Sequence, residues 1–199
     1  GSDRLFLNNG AFKFTDITAN AGLSSSSGWS TGVSMADVNG DGWLDIYVSR
    51  SGPMPDPNLR RNLLFINKQN GTFEESAAQW GLDFEGYSNQ AYFFDYDKDG
   101  DLDMYQLNHR IDFKNSTVLS NRIKSNVEYE SSDQLFENKG NRFVNVTEQA
   151  KITNKAWGLS CSIGDFNNDS WPDIYVCNDY LDPDILYINQ GNGQFKDEI

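Results

Sequence analysis

Asp37-Val38-Asn39-Gly40-Asp41-Gly42-Trp43-Leu44-Asp45 decides how the rest of the chain is read, because it occurs three times. The second copy is Asp95-Tyr96-Asp97-Lys98-Asp99-Gly100-Asp101-Leu102-Asp103, and the third is Asp165-Phe166-Asn167-Asn168-Asp169-Ser170-Trp171-Pro172-Asp173. Each copy places side-chain oxygens at its first, third, fifth and ninth positions. Calcium takes roughly 6–8 hard oxygen ligands, and a tight loop of this spacing can wrap four side chains and one backbone carbonyl around a single ion.

The pattern nominates three Ca²⁺ ions, one per loop. In the first loop the side-chain candidates are Asp37, Asn39, Asp41 and Asp45, with the Trp43 carbonyl at the seventh position. In the second they are Asp95, Asp97, Asp99 and Asp103, with the Asp101 carbonyl and the Asp101 side chain expected to face water. In the third they are Asp165, Asn167, Asp169 and Asp173, with the Trp171 carbonyl. Gly42 and Gly100 supply the sharp turn at the sixth position, but the third loop has Ser170 there. Serine carries a steric cost at positive φ, so the third loop is expected to be the weakest or most distorted. The competing readings are solvated Asp/Asn/Gly turns, which three copies with equal flanks disfavour, and an EF-hand. The EF-hand needs flanking helices and a glutamate at the twelfth position, where this chain has Val48, Gln106 and Val176.

The flanks repeat as well. An aromatic stands ahead of each loop at Trp29, Tyr87 and Trp157, and a β-rich run follows each: Leu44 to Val48, Leu102 to Tyr105 and Asp173 to Val176. A third run comes next (Leu63 to Asn67, Leu135 to Asn138, Ile185 to Asn189), then a Gly turn and a fourth run around Phe73, Phe143 and Phe195. Asn/Gly turns between β-rich runs are a strong hairpin signal. The unit is therefore four short strands, A to D, with the acidic loop joining A to B. Residues 3–18 repeat only C and D, and complete units are expected over 29–76, 87–147 and 157–199. Tandem four-stranded units of this length predict an all-β fold, a β-propeller of about three and a half blades.

Acidic loops of this form on an A–B hairpin, followed by Leu-Phe-x-Asn and Gly-x-Phe, resemble FG-GAP/VCBS repeats. Such repeats build the integrin α-subunit propeller and many bacterial surface proteins. The phrase from Leu5 to Leu23 is most similar in style to the cartilage acidic protein/UnbV group. The resemblance implies a ring of about seven blades, with the remaining blades supplied by the rest of a longer protein or by a second copy; a fragment is the favoured expectation. It also implies that B–C and D–A loops share the face opposite the ion loops.

The bulk composition agrees. The 199 residues are 14% aromatic and carry a formal charge of −13. Phosphate-backbone binding needs clustered Lys/Arg, so no nucleic-acid partner is expected. No apolar run is long enough to span a membrane, and no signal peptide is legible. Gly1-Ser2 reads as a cloning remnant, so its lack of a leader says nothing about export. Cys161 and Cys177 flank the third loop symmetrically, leaving open a cross-strand disulfide or two buried thiols. His109 is the single histidine, without a Ser or Cys partner nearby in sequence, and reads as structural.

The expected function is a calcium-stabilised, secreted, periplasmic or cell-surface module that binds a protein or glycan partner and is not itself an enzyme. The alternatives are the propeller portion of a carbohydrate-active enzyme such as a polysaccharide lyase, or a purely structural spacer. Arg110, Lys114, Arg122 and Lys124, in the long second B–C link, form the candidate partner-contact region. Asn-x-Ser/Thr acceptors stand at Asn70, Asn115, Asn145 and Asn168.

Overall fold

Strand B of each unit shows how the sheets must pack. Ile46 and Tyr47 in the first unit, Met104 and Tyr105 in the second, and Ile174 and Tyr175 in the third put bulky side chains on both faces, so each strand B requires cover on both sides. The computed structural model, which describes residues 3–23, 28–54, 56–110, 130–179 and 182–199, supplies that cover by stacking sheet on sheet. The strands are β1 (Phe6–Asn8), β2 (Phe14–Asp16), β3 (Trp29–Ala36), β4 (Asp45–Ser51), β5 (Leu63–Asn67), β6 (Phe73–Glu75), β7 (Ser88–Phe94), β8 (Asp103–Asn108), β9 (Gln134–Asn138), β10 (Phe143–Asn145), β11 (Gly158–Gly164), β12 (Asp173–Asn178), β13 (Ile185–Asn189) and β14 (Phe195–Asp197). They form one two-stranded sheet, β1-β2, and three four-stranded sheets in chain order: β3-β4-β5-β6, β7-β8-β9-β10 and β11-β12-β13-β14. Every pairing is antiparallel. The fold is all-β, and the sheets are propeller blades with strand A innermost, since β3 packs on β7 and β7 on β11.

Three apolar cores fill the spaces between successive sheets. Ala21, Leu23, Ile46, Val48 and Phe65 close the gap between the two-stranded sheet and the first blade. Tyr47 and Leu64 meet Ala91, Met104 and Phe136 between the first and second blades. Tyr105 and Leu135 meet Ile174, Val176 and Tyr187 between the second and third. Accordingly β4 and β8 are buried at every position.

Each A–B ladder carries a bulge, and in the first two blades its extra residue reaches for the next blade. Thr31, Asn89 and Leu159 are skipped in the register. The Thr31 hydroxyl donates to the Ser88 carbonyl (2.7 Å), and Asn89 Nδ2 donates to the Gly158 carbonyl (2.8 Å). Gly158 permits this approach: a Cβ there would lie 2.5 Å from Leu107 Cδ1 and 2.6 Å from the Asn108 carbonyl oxygen.

The third ladder settles the cysteines. Gly164 faces Asp173, so Cys161 pairs with Val176 and Cys177 with Ser160. That register is one residue away from the symmetric hairpin that would align the two sulfurs. Successive side chains alternate faces, so the cysteines project to opposite sides of the blade. Both are free thiols.

Arg110, one of the candidate partner-contact residues, is 6% exposed and lies with its guanidinium 5.0 Å from the Trp157 ring centroid. Lys114, Arg122 and Lys124, like the acceptor Asn115, lie outside the described residues. His109 is held structurally, with Nδ1 3.1 Å from the Gly158 carbonyl. Among the aromatics that precede the loops, Trp157 is buried and Trp29 is exposed.

Candidate metal centre

Each acidic loop bridges strands A and B at the same edge of its blade: β3 to β4, β7 to β8 and β11 to β12. Nine residues close it because two of them adopt left-handed backbone. At the sixth position φ is 86° for Gly42, 100° for Gly100 and 73° for Ser170. At the fourth position it is 70° for Gly40, 62° for Lys98 and 63° for Asn168. The Ser170 strain is legible in the sequence; the second left-handed position is not, because Lys98 carries no turn signal of its own.

Carboxylates then cap the turn from inside. The first-position Asp accepts from the sixth-position N–H, at 2.7 Å for Asp37, 3.1 Å for Asp95 and 2.8 Å for Asp165. The fifth-position Asp accepts from the seventh-position N–H: Trp43 to Asp41 at 2.9 Å, Asp101 to Asp99 at 3.2 Å, and Trp171 to Asp169 at 2.8 Å. The third loop keeps the first loop's bonds despite Ser170, so the expected distortion is confined to the backbone angle.

The loops differ at the third position. Asn39 Nδ2 donates to Asp41 Oδ2 (3.3 Å) and Asn167 Nδ2 to Asp169 Oδ2 (2.8 Å), so an amide shares the fifth-position charge. The seventh-position N–H groups, chiefly, hold the carboxyls of Asp41 and Asp169 below the usual range. The second loop has Asp97 in place of an amide. Asp95, Asp97 and Asp99 bring carboxylate oxygens within 4.8 Å of one another, the one such cluster among the described residues. Desolvation, with Asp99 beside it, raises the Asp97 carboxyl. Asp101 does not face water as expected: it is half-buried against Asp99, and desolvation chiefly pushes its carboxyl up to about 6. Asp95 Oδ1 and Asp101 Oδ1 are buried with no hydrogen-bond partner. Orphaned carboxylate oxygens beside three more acidic groups are what a hard divalent cation would satisfy. The residues present therefore fit calcium.

The ninth-position Asp is set apart from this cluster. Asp45, Asp103 and Asp173 are buried. One oxygen of each accepts the second-position N–H: Val38 at 3.1 Å, Tyr96 at 3.0 Å and Phe166 at 2.9 Å. The other accepts the backbone N–H of the Asn that ends strand C: Asn67, Asn138 and Asn189, each at 2.8 Å. Each oxygen keeps a second lone pair. Burial is the main reason that Asp45 is raised and that Asp103 is pushed up to about 7. The sequence reading treats those asparagines as turn residues and misses this role. The signal that could have found it is the same Asn closing all three C runs.

Trp43 and Trp171, the seventh-position residues of the first and third loops, have different side-chain surroundings. Trp43 is exposed. Trp171 is partly covered by Lys98 of the second loop, whose Nζ lies 4.6 Å from its ring centroid.

A search of the curated proteins returns no match. The FG-GAP-like repeat model matches residues 1–48, 56–105 and 125–176. Set on the strands, each match runs from strands C and D of one blade to strands A and B of the next, so the sequence repeat straddles two blades and its acidic loop falls near its end. Three matches over most of the chain, on blades that each carry the acidic hairpin, make this protein a member of the FG-GAP-like repeat family.

Proposed function

We propose that this chain is a calcium-stabilised β-propeller module that works outside the cytosol and presents a surface to a protein or glycan partner. The observation that carries the calcium reading is the second loop, with three carboxylates clustered within 4.8 Å and two buried carboxylate oxygens unsatisfied. Charges crowded in this way raise one another's proton affinity or force the loop open, and a cation removes both costs. Asp37, Asn39, Asp41 and Asp45, with the Trp43 carbonyl, would hold one ion. The corresponding residues at 95–103 and 165–173 would hold two more. The ion's contribution is to fold stability, pinning the A–B turn and with it the register of the inner strands. Loops of this kind fill where calcium is millimolar, which favours an exported setting. Binding is preferred to catalysis because the one histidine is spent on a backbone carbonyl between blades.

The test is a thermal melt with calcium and with chelator. At calcium a hundredfold above its dissociation constant, the ion should add about 2.7 kcal/mol per site. Asp97→Ala should shrink the difference. A melt that ignores the chelator would refute the calcium reading, and screens of glycans and secreted proteins without a binder would refute the partner.

A further inference from the structure

The hydrogen bonds of the ninth-position aspartates do not stop at the edge of a blade. Asn138, which ends β9 in the second blade, donates from Nδ2 to the Leu102 carbonyl of its own loop (3.2 Å) and to the Val38 carbonyl of the first loop (3.0 Å). Asn189, which ends β13 in the third blade, repeats this, donating to the Pro172 carbonyl (3.2 Å) and to the Tyr96 carbonyl of the second loop (2.8 Å). A belt therefore runs through all three loops. Asp45 accepts from Val38 N–H and the Val38 carbonyl accepts from Asn138. The Asn138 N–H donates to Asp103, which also accepts from Tyr96 N–H. The Tyr96 carbonyl accepts from Asn189, whose own N–H donates to Asp173. Asn138 and Asn189 are buried, like the aspartates they serve, so water does not compete for these bonds.

We infer that this belt couples the three loops, so that a divalent cation seated in one raises the affinity of its neighbour, with Asn138 and Asn189 as the positioning residues that carry the coupling. The inference rests on the calcium reading above. A cation fixes its loop, and fixing the loop fixes the second-position backbone that the neighbouring blade's Asn holds. The neighbour then pays less ordering entropy when its own cation arrives. Asn138 links the first loop to the second and Asn189 links the second to the third, so among the described residues the second loop lies between the other two in the belt. Asn67 is the internal control. Its Nδ2 donates to the Leu44 carbonyl of its own loop (3.1 Å) and, among the described residues, to no other blade.

Terbium, a hard trivalent stand-in for calcium, reads the loops separately, because Trp43 and Trp171 stand inside the first and third and sensitise its emission at short range. Trp171→Phe isolates the first loop; in Trp43→Phe, Trp171 reports the third loop and, because it lies against Lys98, the second as well, a contribution that Asp97→Ala with Asp99→Ala silences. In these backgrounds, Asp97→Ala with Asp99→Ala should weaken terbium binding at both outer loops by about fivefold or more, the lower end of ordinary coupling. Asn138→Ala should weaken it at the first loop and Asn189→Ala at the third, while Asn67→Ala leaves the coupling intact. Bright emission with outer-loop affinities unchanged in the second-loop variant overturns the coupling and spares the calcium reading. No emission from the unaltered protein overturns both. Should the variants not fold, a calorimetric calcium titration of the unaltered protein decides: a Hill slope above 1 supports the coupling, and a slope of 1 or below overturns it.

Discussion

The Tyr105 hydroxyl donates to Asp133 Oδ2 across 2.6 Å in the interior of the second blade, where both groups are buried. Asp133 stands one residue ahead of β9 and also accepts from Asn108 N–H (2.7 Å) and Asn154 Nδ2 (2.6 Å). The other blades repeat the motif with different chemistry. Asn62 accepts from Arg50 N–H and donates to the Tyr47 hydroxyl, and Asp184 accepts from Asn178 N–H and the Tyr175 hydroxyl. Strand B is thus tied to the start of strand C by one polar side chain in each blade.

Burial pushes the Asp133 carboxyl from 3.8 up to about 7. The folded state therefore binds this proton more tightly than the unfolded state does. Its contribution to stability is full below about pH 4 and is lost as pH rises through about 7. With calcium held at saturation, so that the acidic loops do not titrate, the melting midpoint should fall across that window. Asp133→Asn, which installs the first blade's solution, should flatten the fall. A variant with the same slope as the unaltered protein would count against this assignment.

The two cysteines should behave as independent thiols. Burial, chiefly, raises the Cys161 thiol well above its ordinary range, so it should react slowly with an alkylating reagent until the protein unfolds. The midpoint of a melt should be indifferent to reductant. Mass spectrometry of the alkylated, denatured protein should show two modified thiols, and a mass two hydrogens short would reveal the bridge that the register forbids.

Gly158→Ala tests the close approach of the second and third blades. The added methyl meets Leu107 and the Asn108 backbone, and the backbone cannot swing away as a side-chain tip can. Overpacking of this kind costs about 1–3 kcal/mol, readable as an earlier urea midpoint. An unchanged midpoint would mean that the sheets can separate without penalty.

The blades were legible because the strand pattern is carried by local chemistry: apolar runs that need two covers, Asn/Gly turns and an acidic loop at a fixed place. What was not legible depends on pairing between distant segments. The register at Gly164 and Asp173 turns on how the loop closes, and one residue of difference separates two cysteines that look symmetric in the sequence. Asn138 announces a turn, yet its amide is spent on Val38, a hundred residues earlier in the chain. Asp101 sits where a solvent-facing side chain is expected, and the fold turns it toward Asp99 instead.

Ser170 gives the sharpest test of the loop backbone, because the same position is glycine in the other two copies. At φ 73° it occupies left-handed space, which costs an L-residue roughly 1–2 kcal/mol. Glycine removes that cost but gives back about 0.5–1 kcal/mol in chain entropy. The turn bonds to be kept, from Ser170 N–H to Asp165 and from Trp171 N–H to Asp169, use only the backbone on the donor side, so they survive the substitution. Ser170→Gly should therefore stabilise the third blade by up to about 1 kcal/mol, and Gly100→Ser should destabilise the second by a similar amount, both read from denaturant midpoints. A loss of stability in Ser170→Gly would mean that the serine side chain contributes a contact worth more than the strain it carries.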